Sequence, residues 1–217
     1  MRYFPLCLDI RDRLCLLVGG GEMALEKATR LLQAGARVRV VAPDCRPEFG
    51  DRPDVEVRLR AFEDTDLDGV FLAIAATNDR SLHKRFARLC AQRGILHSVV
   101  DAPDLCQFIA PAIVERGELM LGVSSQGLAP ALAARLRAEI EAWLPADIEE
   151  YLHFLDHARQ RAKKMLARPE DRASLGRRLA SREGHERFAA LSSEQRRAWV
   201  DALIESYRAG RAQGDSV

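Results

Sequence analysis

The stretch CLLVGGGEMALEKATRLLQAGARVRVVAPD, residues 15–44, decides the fold of this chain. It begins with an apolar run, which predicts a buried strand, and breaks on three glycines. From about Met23 to Gln33 the apolar residues have helical spacing, and RVRVVA then predicts a second strand. A strand, a glycine turn, a helix and a strand in this order predict a βαβ unit with parallel strands.

The glycine turn has the pattern G-x-G-x-x-A, formed by Gly19, Gly21 and Ala24. In this pattern the first glycine permits a tight turn, the second lets the backbone approach a pyrophosphate, and the alanine lets the helix pack closely on the strand. Free N–H groups and the positive end of the helix dipole also favour phosphate at this place. The sequence therefore predicts an adenine dinucleotide on the turn, with purely structural glycines as the alternative.

Asp44 lies about 20 residues beyond Gly21, at the end of the second predicted strand. A carboxylate there can accept hydrogen bonds from an adenosine ribose and would repel a 2′-phosphate, which favours NAD over NADP. Two alternatives stay open. Asp44 could be a turn residue after Pro43, and the nearby Arg46 could accept a phosphate.

Strands and helices continue to alternate over roughly the first hundred residues. The segments VEVRL, VFLAIAA and ILHSVV predict strands, and a helix is expected from about Ser81 to Arg93. Ahead of the first buried strand, the alternation of Leu6, Leu8 and Ile10 predicts an opening strand or hairpin. We therefore expect an α/β fold whose first part is a Rossmann-like parallel sheet.

Thr77 and Asp101 each follow a predicted strand, at the carboxyl edge where doubly wound sheets bind ligands. Thr77 could face the cofactor, or it could cap the helix that follows. A partly desolvated Asp101 close to a nicotinamide could act as a general base. A loop or capping aspartate is the alternative for Asp101.

The pattern changes at FIAPAIVERGELMLGVSS, which predicts two strands around a turn at residues 116–118. A long amphipathic helix then begins at Pro130. Ser124, Ser125 and Gly127 precede this helix, so hydroxyl and backbone N–H groups converge there and could bind a carboxylate or a phosphate. Ordinary helix entry is the competing interpretation.

After Pro145 the whole chain reads as helical. His153 and His157 stand four residues apart, a spacing that suits a metal, but no third ligand motif accompanies them. We expect a solvated histidine pair and no metal site. The predicted domains are a sheet domain, a strand pair with a helix, and a helical domain, at residues 1–112, 113–145 and 146–217.

Composition and charge limit the possible locations and partners. Among 217 residues, 47% are hydrophobic and 30% charged, as in an ordinary globular protein, and the net charge of +1 gives no field that attracts nucleic acid or a membrane. The five cysteines form no C-x-x-C pair, which favours reduced thiols in a cytoplasm. The apolar run at the N-terminus is too short for a signal peptide, and no segment is long enough to span a bilayer.

Four segments occur in an order and spacing similar to those of one family. The segments VGGGEMALEKATRLLQAGARVRVVAP, FLAIAATND, VVDAPDLCQF and VSSQGLAPALAARLR resemble the dehydrogenase and ferrochelatase module of siroheme synthases. This resemblance covers nearly all of residues 1–145, and the helical tail agrees in kind. It implies oxidation of precorrin-2 to sirohydrochlorin with NAD and, in many members, insertion of ferrous iron to give siroheme.

The resemblance also implies roles for individual residues. Asp101 would be the catalytic base for oxidation and would take part in metal insertion. The dinucleotide loop and the adenosine contacts would include Gly19, Gly21, Glu22, Met23, Pro43 and Asp44. Ser125 would lie at the substrate site, and Arg116 and Arg135 are candidates to bind the many carboxylates of the substrate. The resemblance further implies a homodimer that pairs through the GVSS strand pair, the next helix and the helical tail.

Two other classes of function remain open. A nucleotide-sensing module would share the glycine loop and Asp44 but would not require Asp101 or the segment at residues 124–127, here the serine loop. The helical tail could alternatively serve protein interaction alone. The 217 residues contain no second glycine-rich unit of the kind that a fused methyltransferase would need.

Overall fold

The computed structural model describes residues 3–50, 52 and 54–212, the last three of them by backbone alone. The chain divides into two compact units. The first, here the sheet unit, comprises Met1–Pro111 and Ser124–Pro130. The second, here the helical unit, comprises Ala112–Val123 and Ala131–Val217.

The sheet unit contains a five-stranded parallel sheet in the order β3-β2-β1-β4-β5. Its strands are β1 (Leu14–Val18), β2 (Arg37–Ala42), β3 (Val55–Leu59), β4 (Leu72–Ala75) and β5 (Leu96–Val99). Helix α1 (Glu22–Gln33) follows β1, and α2 (Arg80–Gln92) follows β4. Short 3-10 turns lie at Pro47–Phe49, Asp64–Leu67 and Pro103–Leu105. The structure thus confirms the predicted α/β fold with its parallel sheet.

A core cluster covers each face of the sheet. Successive residues of each strand point to opposite faces, so neighbouring residues of β1 belong to different clusters. On one face Leu16 of β1 belongs to a core cluster with Phe86 of α2. On the other face Leu17 packs in a second cluster with Ala24 and Ala28 of α1. The continuous apolar run of β1 is therefore explained by burial on both sides.

The predicted opening strand or hairpin is wrong. Residues 6–10 form no strand, and Leu6 and Leu8 are 65% and 40% exposed, whereas Ile10 is buried. A hairpin with β1, the next strand along the chain, is excluded because β1 already pairs with β2 on one side and β4 on the other. An alternating apolar pattern forms a strand only where a neighbouring strand offers free hydrogen-bonding groups.

Asp66, in the Asp64–Leu67 turn, is a fully buried carboxylate in the sheet unit. It accepts hydrogen bonds from Arg58 at 2.6 Å, from Arg60 at 2.7 and 2.8 Å, and from the backbone N–H of Glu63 at 2.9 Å. Burial alone would raise the pKa of the Asp66 carboxyl, but these donors outweigh it and lower the pKa to about 2.

We expect Asp66→Asn to reduce the free energy of unfolding by about 3 kcal/mol, because it leaves two arginines without their buried partner. The folded-state pKa lies below the ordinary value, so the carboxylate stabilises the fold above about pH 4. That contribution is lost as the pH falls towards 2. Urea titrations at pH 7, 4 and 3 measure both effects.

The matched control is Asp64→Asn, which affects a half-exposed ion pair with Arg85. It should cost less than about 1 kcal/mol. Equal costs for the two variants would show that the buried network does not stabilise the sheet unit.

The helical unit starts with an antiparallel pair, β6 (Ala112–Arg116) and β7 (Leu119–Val123), around the predicted turn. Among its described residues, up to position 212, five helices follow: α3 (Pro130–Trp143), α4 (Ile148–Met165), α5 (Pro169–Leu179), α6 (Arg182–Ala190) and α7 (Ser193–Ala212). Tyr151, Phe188 and Trp199 belong to its core. In the described part of the chain, no helix combines the length and the apolar character that crossing a bilayer requires.

Candidate functional site

The carboxyl edge of the sheet collects the loops that follow β2, β1, β4 and β5, side by side in that order. Backbone hydrogen bonds extend the ladder beyond the strands, from Gly19 to Val41 at 3.0 Å, from Ala76 to Val18 at 2.8 Å, and from Val100 to Ala75 at 2.9 Å. Four neighbouring loops at the usual strand spacing extend over about 14 Å. This edge carries the predicted residues in the order Asp44, glycine turn, Thr77 and Asp101.

Gly19 and Gly20 are required by close backbone packing. Gly19 has a φ of +126°, and a Cβ there would lie 2.2 Å from the carbonyl oxygen of Ala76. A Cβ on Gly20 would lie 2.2 Å from the carbonyl oxygen of Asp44. The G-x-G-x-x-A pattern leaves the position of Gly20 open, so the sequence predicted no role for Gly20.

Gly21 faces open space. A Cβ at this position would meet no atom within 4 Å, and Gly21 is the N-cap of α1 without a side-chain capping bond. The first N–H groups of a helix have no partners within the helix and can bind an anion. Ala24 is fully buried beneath the turn, which permits the close packing of helix on strand. The turn therefore fits the pyrophosphate of a dinucleotide.

Arg46, two residues after Asp44, is already paired. Its backbone N–H donates to the carbonyl of Gly20 at 3.0 Å. Its guanidinium contacts Glu22 at 2.5 Å and Glu48 at 2.7 Å, and its hydrogen bond lowers the pKa of the Glu48 carboxyl. Asp44 is exposed beside it. This arrangement favours a ribose hydroxyl at Asp44 over a 2′-phosphate at Arg46.

Three further predicted cofactor residues lie around the turn. Glu22 and Met23 form the first turn of α1, where Met23 is 45% exposed, and Pro43 is exposed directly after β2.

Thr77 packs against the glycine turn and has a histidine partner that the sequence did not indicate. Its methyl carbon lies 3.4 Å from the position of a Cβ on Gly19. Its hydroxyl accepts a hydrogen bond from the backbone N–H of Asp79 at 3.3 Å and lies 3.0 Å from Nε2 of the buried His83. Asp79, rather than Thr77, caps α2. The position of His83 in the first turn of that helix was the available signal.

Asp101 has a left-handed backbone, with a φ of +59°. This conformation is uncommon for a residue other than glycine, and aspartate tolerates it better than most. Its side chain is exposed in the single chain, so the partial desolvation that the sequence suggested does not come from this chain's described residues. Backbone strain of this kind clusters at functional sites.

The serine loop groups with the sheet unit. Ser124 accepts a hydrogen bond from the N–H of Gln126 at 3.1 Å, and Ser125 accepts one from the N–H of Ala129 at 3.0 Å. Gln126 and Gly127 both have positive φ values. The two hydroxyls therefore shape the entry to α3, as the competing interpretation held, and each keeps its own proton for donation.

Two arginines considered as substrate contacts form ion pairs with glutamates, and two histidines considered as metal ligands have no further ligand beside them in the part of the chain that the structure describes. Arg116 pairs with Glu141 at 3.0 Å, and Arg135 pairs with Glu139 at 2.5 Å. His153 and His157 are exposed, and the described residues contain no cluster of three or more metal-ligating side chains.

Comparison with known proteins shows the family to which this chain belongs. A family model described as putative NAD(P)-binding matches residues 6–112. The siroheme synthase of Pseudomonas aeruginosa strain LESB58 is 40% identical over 213 residues, which are 97% of this chain and 45% of the relative. The chain belongs to the siroheme synthase N-terminal module family. The family match supports NAD as the cofactor.

Other relatives of this siroheme synthase module agree. The siroheme synthase of Thioalkalivibrio sulfidiphilus is 36% identical over 100% of this chain and 45% of its own length. That of Ectopseudomonas mendocina is 44% identical over 76% of this chain and 36% of its own length. The chain thus spans less than half the length of these curated relatives.

A solved structure shares the fold of the siroheme synthase module described here. The protein titled "SirC, precorrin-2 dehydrogenase" superposes with a TM-score of 0.76, covering 94% of this chain and 100% of that one. Their sequences are 23% identical. The shared fold includes the parallel sheet with its helices.

Proposed function

We propose that this chain oxidises precorrin-2 to sirohydrochlorin with NAD as the hydride acceptor. The observation that carries the proposal is the common sheet edge, which presents an open glycine turn and, two strands away, the left-handed Asp101. The names of the relatives, siroheme synthase, and of the structural neighbour, precorrin-2 dehydrogenase, support the choice of substrate.

Residues along the edge would bind and orient the dinucleotide. The backbone of Gly19 and Gly21 and the first turn of α1, with Glu22 and Met23, would hold the pyrophosphate. Pro43 and Asp44 would contact the adenosine, and Thr77 would lie beside the middle of the cofactor. The bound nicotinamide supplies the acceptor for two electrons.

Asp101 would take the proton that leaves the macrocycle when a hydride departs from the neighbouring carbon. An exposed carboxylate at the sheet edge can serve as this base once the substrate covers it and excludes water. Oxidation then releases one hydride and one proton. Orientation across the edge accounts for much of the remaining acceleration.

The serine loop would bind a carboxylate of the substrate. Ser124 and Ser125 accept hydrogen bonds from backbone N–H groups, so their own O–H groups remain able to donate. Gly127 has a φ of +85°, which suits the tight turn between the hydroxyls and α3.

Insertion of ferrous iron into sirohydrochlorin is proposed as a second activity of the same carboxylate. Metal insertion requires an acceptor for the pyrrole protons, and Asp101 is exposed where the macrocycle would lie. Ferrous iron would be a substrate in this reaction.

The test supplies purified protein with precorrin-2 and NAD under anaerobic conditions and follows NADH and sirohydrochlorin by absorbance. Ferrous ion is then added, and siroheme formation is compared with the rate without protein. Failure to form sirohydrochlorin would rule out the dehydrogenase. Unaccelerated metallation would rule out only the chelatase.

We further propose a homodimer that forms through residues 113–145. The strand pair β6–β7 has no third strand in the described structure, and such hairpins are marginal alone. Met120, Leu132 and Trp143 are 51%, 43% and 77% exposed, and α3 buries only Ala133 among its residues. A large exposed apolar surface of this kind marks an interface.

We also propose a reducing, cytoplasmic location, which the five free cysteines favour.

We expect the double variant Met120→Glu/Trp143→Glu to be a monomer in analytical ultracentrifugation, because it places two charges in the proposed interface. Leu59→Glu is the matched control, since Leu59 is 68% exposed on the edge strand β3 of the sheet unit. The control should sediment as the wild type does. A wild-type monomer, or a double variant that stays dimeric, would contradict the proposed interface.

A further inference from the structure

The helical unit contains a groove of about 670 Å³ that nothing described above uses. Its walls come from α4 and α7, with Phe188 of α6 between them. The lining residues on α4 recur three or four positions apart, from Glu150 to Met165, so they lie along one face of that helix. The groove is therefore a feature of this unit alone.

The charges along the groove are mostly positive and only partly neutralised. Arg161 pairs with Asp201 at 2.6 Å, and Arg196 pairs with Glu150. Four more basic side chains line the groove without a hydrogen-bond or ion-pair partner in the described part of the chain: His153, His157, Lys164 and Arg197. Lys164 and Arg197 are cations, and the imidazoles of His153 and His157 can donate hydrogen bonds, so the groove favours a ligand with several negative charges.

The apolar part of the groove is formed by Phe154, Ala158, Met165, Phe188 and Val200. Phe154 is half-buried and stacks on Trp199, with ring centroids 5.8 Å apart and an angle of 13° between the planes. Met165, which is 42% exposed, and Val200 extend this apolar surface. A single phosphate would leave most of the volume empty, and the described residues form no metal-ligating cluster.

We propose that this groove binds a planar macrocycle that carries several carboxylates, with its ring on the apolar wall and its carboxylates on the unpaired basic side chains. The choice of a macrocycle rests on the proposed function, whose substrate and product belong to this chemical class. The charge and shape of the groove are independent of that function. It would hold such a molecule on the helical unit in addition to the site at the sheet edge.

The test titrates the full chain with uroporphyrin, a stable porphyrin with eight carboxylates, and with protoporphyrin, which has two. We expect uroporphyrin to bind more tightly than protoporphyrin, and we expect its affinity to fall with added salt. The variant Lys164→Gln/Arg197→Gln should raise its Kd about 10-fold. The matched control Arg177→Gln/Arg178→Gln removes the same charge from α5, outside the groove, and should leave the Kd unchanged.

Hydrogen exchange locates the binding. Uroporphyrin should protect residues 150–165 and 193–200, and absence of protection there would overturn the inference. An unchanged Kd in the groove variant would overturn it as well, even if precorrin-2 is still oxidised. If the groove variant instead changes the sedimentation of the protein, the groove is a contact between two copies and the inference fails.

The two proposals can fail separately. Groove-dependent uroporphyrin binding without any NAD-dependent oxidation of precorrin-2 would refute the proposed function and leave the groove site standing. Oxidation of precorrin-2 without groove-dependent binding of uroporphyrin would refute the groove site and leave the proposed function standing.

Discussion

Asp101→Asn is expected to lower the rate of precorrin-2 oxidation about 1000-fold while leaving the affinity for NAD unchanged. A positioned general base contributes about 100-fold to 10,000-fold, and an amide cannot accept the proton. Asparagine tolerates the left-handed backbone that Asp101 adopts, so the loop should keep its shape. Stopped-flow absorbance gives the rate, and calorimetric titration gives the Kd for NAD.

The chain offers a matched control in Asp12, which is also exposed and also has a φ of +59°. It precedes β1, at the amino edge of the sheet, away from the carboxyl edge. Asp12→Asn should leave both the rate and the Kd unchanged. A fully active Asp101→Asn protein would show that Asp101 is not the base. NAD binding by a wild-type protein that oxidises no precorrin-2 would instead favour the nucleotide-sensing module.

Two substitutions in the glycine turn should have different effects, one on the stability of the fold and the other on the affinity for NAD. Gly19→Ala should destabilise the fold by more than about 4 kcal/mol, because its Cβ would overlap the backbone of Ala76 at a φ of +126°. Gly21→Ala should fold normally, since its Cβ would meet no atom within 4 Å. It should weaken NAD about 10-fold or more, because the methyl group occupies the space next to the helix N-terminus.

Thermal melts and NAD titrations measure the two effects. Gly176→Ala is the control: Gly176 lies in α5 with open space around it, so the variant should gain roughly 0.5–1 kcal/mol and bind NAD normally. Normal NAD binding by Gly21→Ala would mean that no pyrophosphate lies on this turn.

Much of the fold could be predicted because local patterns and tertiary packing agree in this chain. The helix predicted from about Met23 to Gln33 is observed at Glu22–Gln33, and the strands and the hairpin turn at residues 116–118 lie where the patterns placed them. Ser192 and Gln195, which have the spacing of a capping box, form a reciprocal cap of α7, with bonds of 2.9 and 3.3 Å. The prediction of a strand at residues 6–10 was wrong because an alternating apolar pattern does not show whether a neighbouring strand is available for pairing.

The candidate site was only partly predictable. The sequence indicated the glycine turn, Asp44 and Asp101 through their positions after apolar strands. It gave no sign that Gly20 packs on the backbone of Asp44, that Arg46 is neutralised by Glu22 and Glu48, or that Thr77 meets His83. Each of these contacts joins residues from different loops.

The amino-acid sequence by itself determined the alternation of strands and helices, the dinucleotide turn and the helical tail, because periodicity and glycine chemistry act within a few residues. Only the tertiary structure decided which loops share the sheet edge, which cations stay unpaired in the helical unit, and that Asp101 has a left-handed backbone. Those features depend on strand order and on packing between distant segments, which no local pattern encodes.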